Sequence, residues 1–109
     1  MGVPPVGSVI LVNFPFADLK RFKKRPAVVI AGGSLDTIIL CQITSQDLPG
    51  VIGIKLENRD FAVGGLPMLS YVRPDKLFTV DGLIKHHELG VLSTAKTKTI
   101  RRHIAELFA

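Results

Sequence analysis

The stretch Arg25–Gln46, RPAVVIAGGSLDTIILCQITSQ, decides the fold. It reads as two apolar strands, Pro26–Ala31 and Thr37–Ile43, joined by a turn over Gly32–Asp36. Val28, Val29, Ile30, Ile38 and Ile39 are β-branched, a shape that packs well on a pleated surface, and the glycines supply the turn. Polar side chains gather at the open end: Arg25 before the first strand, then Gln42, Thr44, Ser45 and Gln46. With the hairpin centred between Ser34 and Leu35, Arg25 lies opposite Thr44. Directly paired residues hold their Cβ atoms roughly 4.5–5.5 Å apart. A guanidinium and a hydroxyl at that spacing can grip a phosphate. The assignment hangs on register, because a slip of one residue turns one of the two to the other face.

Upstream of the hairpin lies a basic stretch, Asp18–Arg25, in which Lys20, Arg21, Lys23, Lys24 and Arg25 stand against Asp18 alone. It is expected to be a loop, with Phe22 as its one aromatic residue, placed either to stack on a base or to pin the loop. Before it, Ser8–Phe14 reads as a strand that is apolar on both faces, which points to a central or barrel position; Pro15 ends it. Met1–Gly7 is an irregular lead-in. Downstream, Val51–Glu57 alternates as a strand with one wet face, and Asn58–Asp60 turns the chain. Gly64 and Gly65 break it before a strand over Leu66–Arg73. Pro74 interrupts, and Leu77–Val80 follows as a short strand with Asp81-Gly82 as its turn. Leu83–Val91 fits no single period. Ser93 is an N-cap for a helix over Thr94–Phe108, whose Ile100, Ile104, Leu107 and Phe108 form one stripe. Short strands, close-set turns and one terminal helix make this a mainly β chain, a small, strongly bent antiparallel sheet or barrel with a C-terminal helix.

Length and composition bound the function. At 109 residues the chain is one domain, residues 1–109. Hydrophobic residues make up 47%, and the mean hydropathy of +0.35 is high for a small soluble chain, so apolar surface is left for a partner, with a homodimer the commonest solution. No apolar run approaches the roughly 18 residues of a membrane span. No signal peptide is read at the N-terminus. Cys41, the single cysteine, lies inside an apolar strand, which makes it a core thiol, leaves no intramolecular disulfide and fits the reducing cytoplasm. The net charge of +5 is concentrated in two places, Asp18–Arg25 and Lys96–Glu106. Two basic patches on a near-neutral body favour a polyanionic partner, nucleic acid first and acidic protein second; the plainer reading is a solvated loop and a solvated helix face.

Several chemistries lack their residues. His86 and His87 are neighbours, so on a strand they point to opposite faces and chelate poorly. Cys41 and His103 have no zinc spacing. There is no nucleophile elbow, phosphate-binding glycine loop or dinucleotide fingerprint. No metal and no cofactor is expected. What remains is an arginine–hydroxyl–carboxylate set: Arg25, Thr44 or Ser45, and Arg73 with Asp75. Each has a bland explanation by itself: a strand start, a loop cap and a surface ion pair.

Five blocks in register nevertheless carry a resemblance. They are Gly7–Leu19 (GSVILVNFPFADL), Lys24–Ile30 (KRPAVVI), Gln42–Gln46 (QITSQ), Ser70–Leu77 (SYVRPDKL) and Leu89–Ser93 (LGVLS). In order and spacing the chain resembles the MazF/PemK-type toxins, RNA endonucleases of bacterial type II toxin–antitoxin pairs. The resemblance implies an SH3-like barrel with an added C-terminal helix, and a homodimer. It implies single-stranded RNA as substrate, cut without metal through the neighbouring 2′-hydroxyl to a cyclic phosphate and a 5′-hydroxyl. It also implies a cognate antitoxin with an acidic, partly disordered tail. The family's catalytic arginine and threonine fall on Arg25 and Thr44; some relatives use an arginine and an aspartate at the positions of Arg73 and Asp75. A histidine that some relatives carry in the first loop has no counterpart, since no histidine precedes His86.

Chemistry divides the roles. Arginine holds its proton at neutral pH, so Arg25 is expected to stabilise charge on the phosphate oxygens. Thr44 donates to the same phosphate, and Asp75 is the base for the 2′-hydroxyl, oriented by Arg73. Asn13, Lys20, Arg21, Lys23, Lys24, Ser45, Gln46 and Arg73 are expected to hold the RNA. The rival expectation is a binding module without catalysis: an inactive toxin relative, or a toxin directed at a topoisomerase.

Overall fold

Among the described residues, the apolar patterning builds seven strands, a single 3-10 turn at Asn58–Asp60 and one α-helix. The computed structural model describes residues 2–15 and 18–109. Phe16 and Ala17, in the first matching block, lie outside the described residues. The strands are β1 Ser8–Pro15, β2 Phe22–Gly32, β3 Thr37–Thr44, β4 Ile54–Leu56, β5 Phe61–Gly64, β6 Ser70–Asp81 and β7 His87–Leu92; helix α1 is Thr94–Leu107. They form one sheet in the order β4-β6-β3-β2-β1-β7-β5, antiparallel at every pairing. The sheet curls into a half-barrel with α1 against one face. No helix among the described residues is long and apolar enough to cross a membrane.

Because β1, β2 and β3 are central, both of their faces are covered, which is why they read as apolar throughout. Val9, Val28, Cys41, Ile43 and Val72 pack in one layer with Ile100 and Ile104 of α1. Ile10, Val12, Phe14, Ala27, Val29, Ile38 and Leu40 pack in the other, joined by Phe78 and Val80 of β6 and by Val3 and Ile84. The Phe14 and Phe78 rings meet at 5.4 Å in a tilted arrangement.

The hairpin keeps the expected register where it matters. Ala27 faces Gln42, Val28 faces Cys41 and Val29 faces Leu40. Nearer the turn a bulge between Val29 and Ala31 shifts the pairing by one. The turn works differently from expectation. Its left-handed residues are Leu35 and Asp36, at φ 55° and 63°, rather than the glycines. Gly33 N–H donates to Thr37 O at 2.8 Å and the Thr37 hydroxyl to Ser34 O at 2.7 Å, closing the turn.

Four further elements differ from the sequence reading. The basic stretch is half strand, because β2 begins at Phe22 and Lys23, Lys24 and Arg25 all pair with β1. Val51–Glu57 shrinks to β4, three residues long. β5 had no sequence signal; it reaches β7 through a pair of glycines, Gly64 opposite Gly90, where a Cβ on Gly90 would lie 2.5 Å from Val63 O. The two strands expected on either side of Pro74 are one, β6. Arg73–Lys76 bulge out between the Val72–Ile43 and Leu77–Cys41 pairs, so the ladder asks no N–H of Pro74. The helix starts as expected, with Ser93 Oγ accepting from Lys96 N at 3.1 Å. Its stripe is shorter: Ile100 and Ile104 are buried, but Phe108 is 77% exposed.

Candidate nucleic-acid interface

Strand alternation sorts the basic stretch into two rows. On β1 and β2, Phe14 pairs with Lys23, Asn13 with Lys24 and Val12 with Arg25. Phe14 and Val12 belong to the core layer that faces away from the helix. Lys23 and Arg25 therefore continue the row of Ala27 and Val29 outward to solvent. On β3, Thr44 and Gln42 continue the row of Leu40 in the same way. The β2–β3 ladder ends at Ala27–Gln42, and alternation two residues beyond that pair puts Arg25 and Thr44 on the same face. Tyr71 of β6 is the direct partner of Thr44 and joins this row.

Among the described residues, Arg25 makes no ion pair or side-chain hydrogen bond. Thr44 Oγ1 accepts from Gln46 N at 3.1 Å, which leaves its O–H to donate. Ser45 and Gln46 follow in an exposed loop.

Arg73 and Asp75 lie in the β6 bulge, level with Gln42. Arg73 Nη2 donates to Asp75 Oδ2 at 3.1 Å, with the Arg73 side chain 18% exposed and that of Asp75 47%. Arg73 Nε is buried without a partner among the described residues. The Cys41 thiol donates to the Arg73 carbonyl at 2.8 Å. Burial, aided by the charge of Asp75, pushes that thiol up to about 12, so Cys41 is an inert core group, as expected.

The remaining basic residues divide. Asp18 organises the approach to β2: its carboxylate accepts from Lys20 N at 3.0 Å and Arg21 N at 3.4 Å, and pairs with Arg21 Nε at 3.1 Å. The Lys20 N–H bond is the main reason its carboxyl titrates below the usual range. Asn13 and Lys24 lie on the other face of the hairpin, in line with the exposed Phe22. In the helical patch, Lys96 pairs with Asp60 at 3.6 Å and Arg102 with Glu106 at 3.9 Å.

Two sets of residues escaped the sequence reading. Tyr71 joins the Arg25–Thr44 row, to which Gln42 already belonged; carrying the alternation of β3 across to its neighbour is the signal that finds it. His86 and His87 were weighed only as strand neighbours, yet β7 begins at His87 and both line one cavity with Asn13 and Lys24.

The fold has solved counterparts. MazF of Deinococcus radiodurans superposes with a TM-score of 0.75 over 99% of this chain and 98% of that one, at 20% identity. MazE–MazF structures from the same organism give 0.74 over 99% and 97%, and 0.72 over 97% and 96%, each at 20% identity. These likenesses define the class, a MazF-type half-barrel with a C-terminal helix. The PemK-like, MazF-like toxin family of type II toxin–antitoxin systems matches residues 6–108, and the chain belongs to it. A sequence comparison with curated proteins gives no match.

Proposed function

We propose that the chain is the toxin of a type II pair and an endoribonuclease that cuts single-stranded RNA. The observation that carries this reading is the hairpin register, which puts Arg25 and Thr44 in one surface row. In the proposed reaction the 2′-oxygen attacks the adjacent phosphorus, the P–O5′ bond breaks, and a cyclic phosphate and a 5′-hydroxyl result. The nucleophile belongs to the substrate, so the step requires no metal-bound water. Arg25 meets the charge on the non-bridging oxygens and Thr44 donates to one of them. Asp75, held through Oδ2 by Arg73, takes the 2′-hydroxyl proton on its other oxygen. The departing 5′-oxygen takes its proton from water. Lys20, Arg21, Lys23, Ser45, Gln46 and Arg73 hold the strand near this row, and Asn13 and Lys24 hold it on the adjoining face.

The protein works in the cytoplasm as a homodimer, using exposed apolar side chains such as Leu48, Ile52, Val63, Met68 and Leu69. Its antitoxin is an acidic protein that competes with RNA for the cations of β2. Solved MazE–MazF complexes support such a partner by analogy.

Incubation of the pure protein with a mixed RNA pool, followed by end mapping, tests the reading. Discrete cuts with 5′-hydroxyl ends are expected. Intact RNA with a band shift would reduce the protein to a binding module, and the absence of both would point to a protein target.

A further inference from the structure

A cavity of about 160 Å³ lies on the face of the β1–β2 hairpin opposite the Arg25 row. Its polar lining is Asn13, Lys24, Lys85, His86 and His87, over a floor that includes Leu11. Three strands assemble it. Asn13 and Lys24 are direct partners across β1 and β2, and His87 is the partner of Leu11 across β1 and β7. Lys85 and His86 come from the segment that enters β7. Among the described residues, no carboxylate lines the cavity. The nearest in sequence, Glu88, follows His87 on β7 and so turns to the other face. Among the described residues, neither lysine has an ion-pair partner.

Two ammonium groups and one amide around a small cleft supply donors for the acceptor oxygens of a phosphate, and two imidazoles add to them when protonated. His86 refines the match. Its Nδ1 lies 2.9 Å from Ile84 O, and a carbonyl only accepts, so Nδ1 carries the proton. Nε2 then donates only when the ring is an imidazolium. The groups around the cleft are Lys24 from β2, Lys85 and His87 beside His86, and the neutral Asn13 from β1. Phe22, 62% exposed and two residues from Lys24 in the same row, adds an aromatic face beside the cleft. A cationic cleft next to an aromatic platform is the pairing that single strands need for a phosphate and its neighbouring base.

We propose that the Asn13–Lys24–Lys85–His86–His87 cleft is a phosphate subsite for the RNA strand, binding a backbone phosphate other than the one that is cut. This rests on the reading of the chain as an RNA-handling toxin. The test therefore uses two probes that are not cleaved by the proposed route: inorganic phosphate, and a DNA oligonucleotide, which lacks the 2′-hydroxyl. Imidazole ring signals are followed by NMR, assigned with His86→Gln and His87→Gln. His103 on α1, bonded through Nδ1 to Thr99 O, is the internal control.

The His86 and His87 signals are expected to move with both probes while His103 stays still. Lys85→Gln should lower the log–log salt slope of oligonucleotide binding by about 0.7, the share of one single-strand phosphate contact. Still rings with both probes overturn the proposal, even if the protein cuts RNA. Rings that move with phosphate, with an unchanged slope for Lys85→Gln, make the cleft a free-anion site and overturn the strand subsite. Moving rings and a lowered slope in a protein that cuts no RNA uphold the subsite and sink the cleavage reading instead.

Discussion

The two faces of the first half of β2 carry similar charge and differ in what lies beneath it. Lys23 and Arg25 extend a buried apolar row, Ala27–Val29, whose neighbours on β3 end in Gln42 and Thr44. Phe22 and Lys24 continue the row of Pro26 and Val28, which packs in the layer under the helix, and they stand beside Asn13 and a cleft lined with lysine and histidine. The first face offers one arginine braced on a packed sheet, next to a hydroxyl and a tyrosine. The second offers several donors on flexible stems around open space. Preorganised groups are worth most where charge develops in a transition state, and mobile cations are worth most as affinity. The pleat of the strand thus divides one continuous basic stretch between two faces, and the proposed function gives catalysis to the first and strand binding to the second.

The largest effect expected is on the first face. Arg25→Ala should lower RNA cleavage by about 10²–10³-fold, with thermal unfolding little changed. Lys24→Gln should instead raise KM more than it lowers kcat, since it removes binding common to ground and transition states. Equal kinetic signatures for the two variants would erase the distinction between the faces.

Thr44→Val comes next. Loss of one neutral donor to the phosphate should cost about 1 kcal/mol, on the order of tenfold in kcat/KM. Ser45→Ala, one residue on in the exposed loop, should cost less. A larger loss at Ser45 would place the hydroxyl in the loop and not on the Arg25 row.

Charge reversal sharpens the comparison further. Lys23→Glu and Lys24→Glu, made separately, should each weaken RNA and antitoxin binding together if both ligands cover both faces. If one variant lost RNA alone, the antitoxin would occupy a single face, and the direction of the split would say which.

The smallest effects concern the layer under the helix. Ser93→Ala removes the cap on Lys96 N and should destabilise the fold by about 1 kcal/mol, read from urea unfolding. Cys41 lies in that layer, and with its thiol pushed up to about 12 it should resist alkylation in the native protein at pH 8 and react once unfolded. Raising the pH toward 9 should speed the native reaction little, because the thiolate stays scarce below about 12. Rapid native alkylation would show that the helix does not seal this face.

Much of the molecule was legible in the sequence. The hairpin, its register, the double-sided burial of the strand at Ser8, the Ser93 cap and the family blocks all rest on interactions local in sequence, set by β-branching, alternation and capping. The limits of β2, β5 and β6 were not. Lys23–Arg25 look like a loop because charged residues rarely mark a strand, and only pairing with β1 makes them one. Phe61–Gly64 is too short to signal by itself and exists because Gly90 lets it approach β7. Pro74 looks like a break until the β6 bulge absorbs it.

By itself, then, the order of residues determined the family, the antiparallel half-barrel with its terminal helix, and the identity of Arg25 and Thr44 as a candidate pair. Tertiary structure alone decided which side chains share a face with that pair, bringing in Tyr71 from β6, and which do not, sending Lys24 to the cleft with His86 and His87. The reason is physical. Alternation fixes the two sides of a single strand, but which strands lie next to each other, and where bulges shift their registers, follows from how the whole sheet buries its apolar rows.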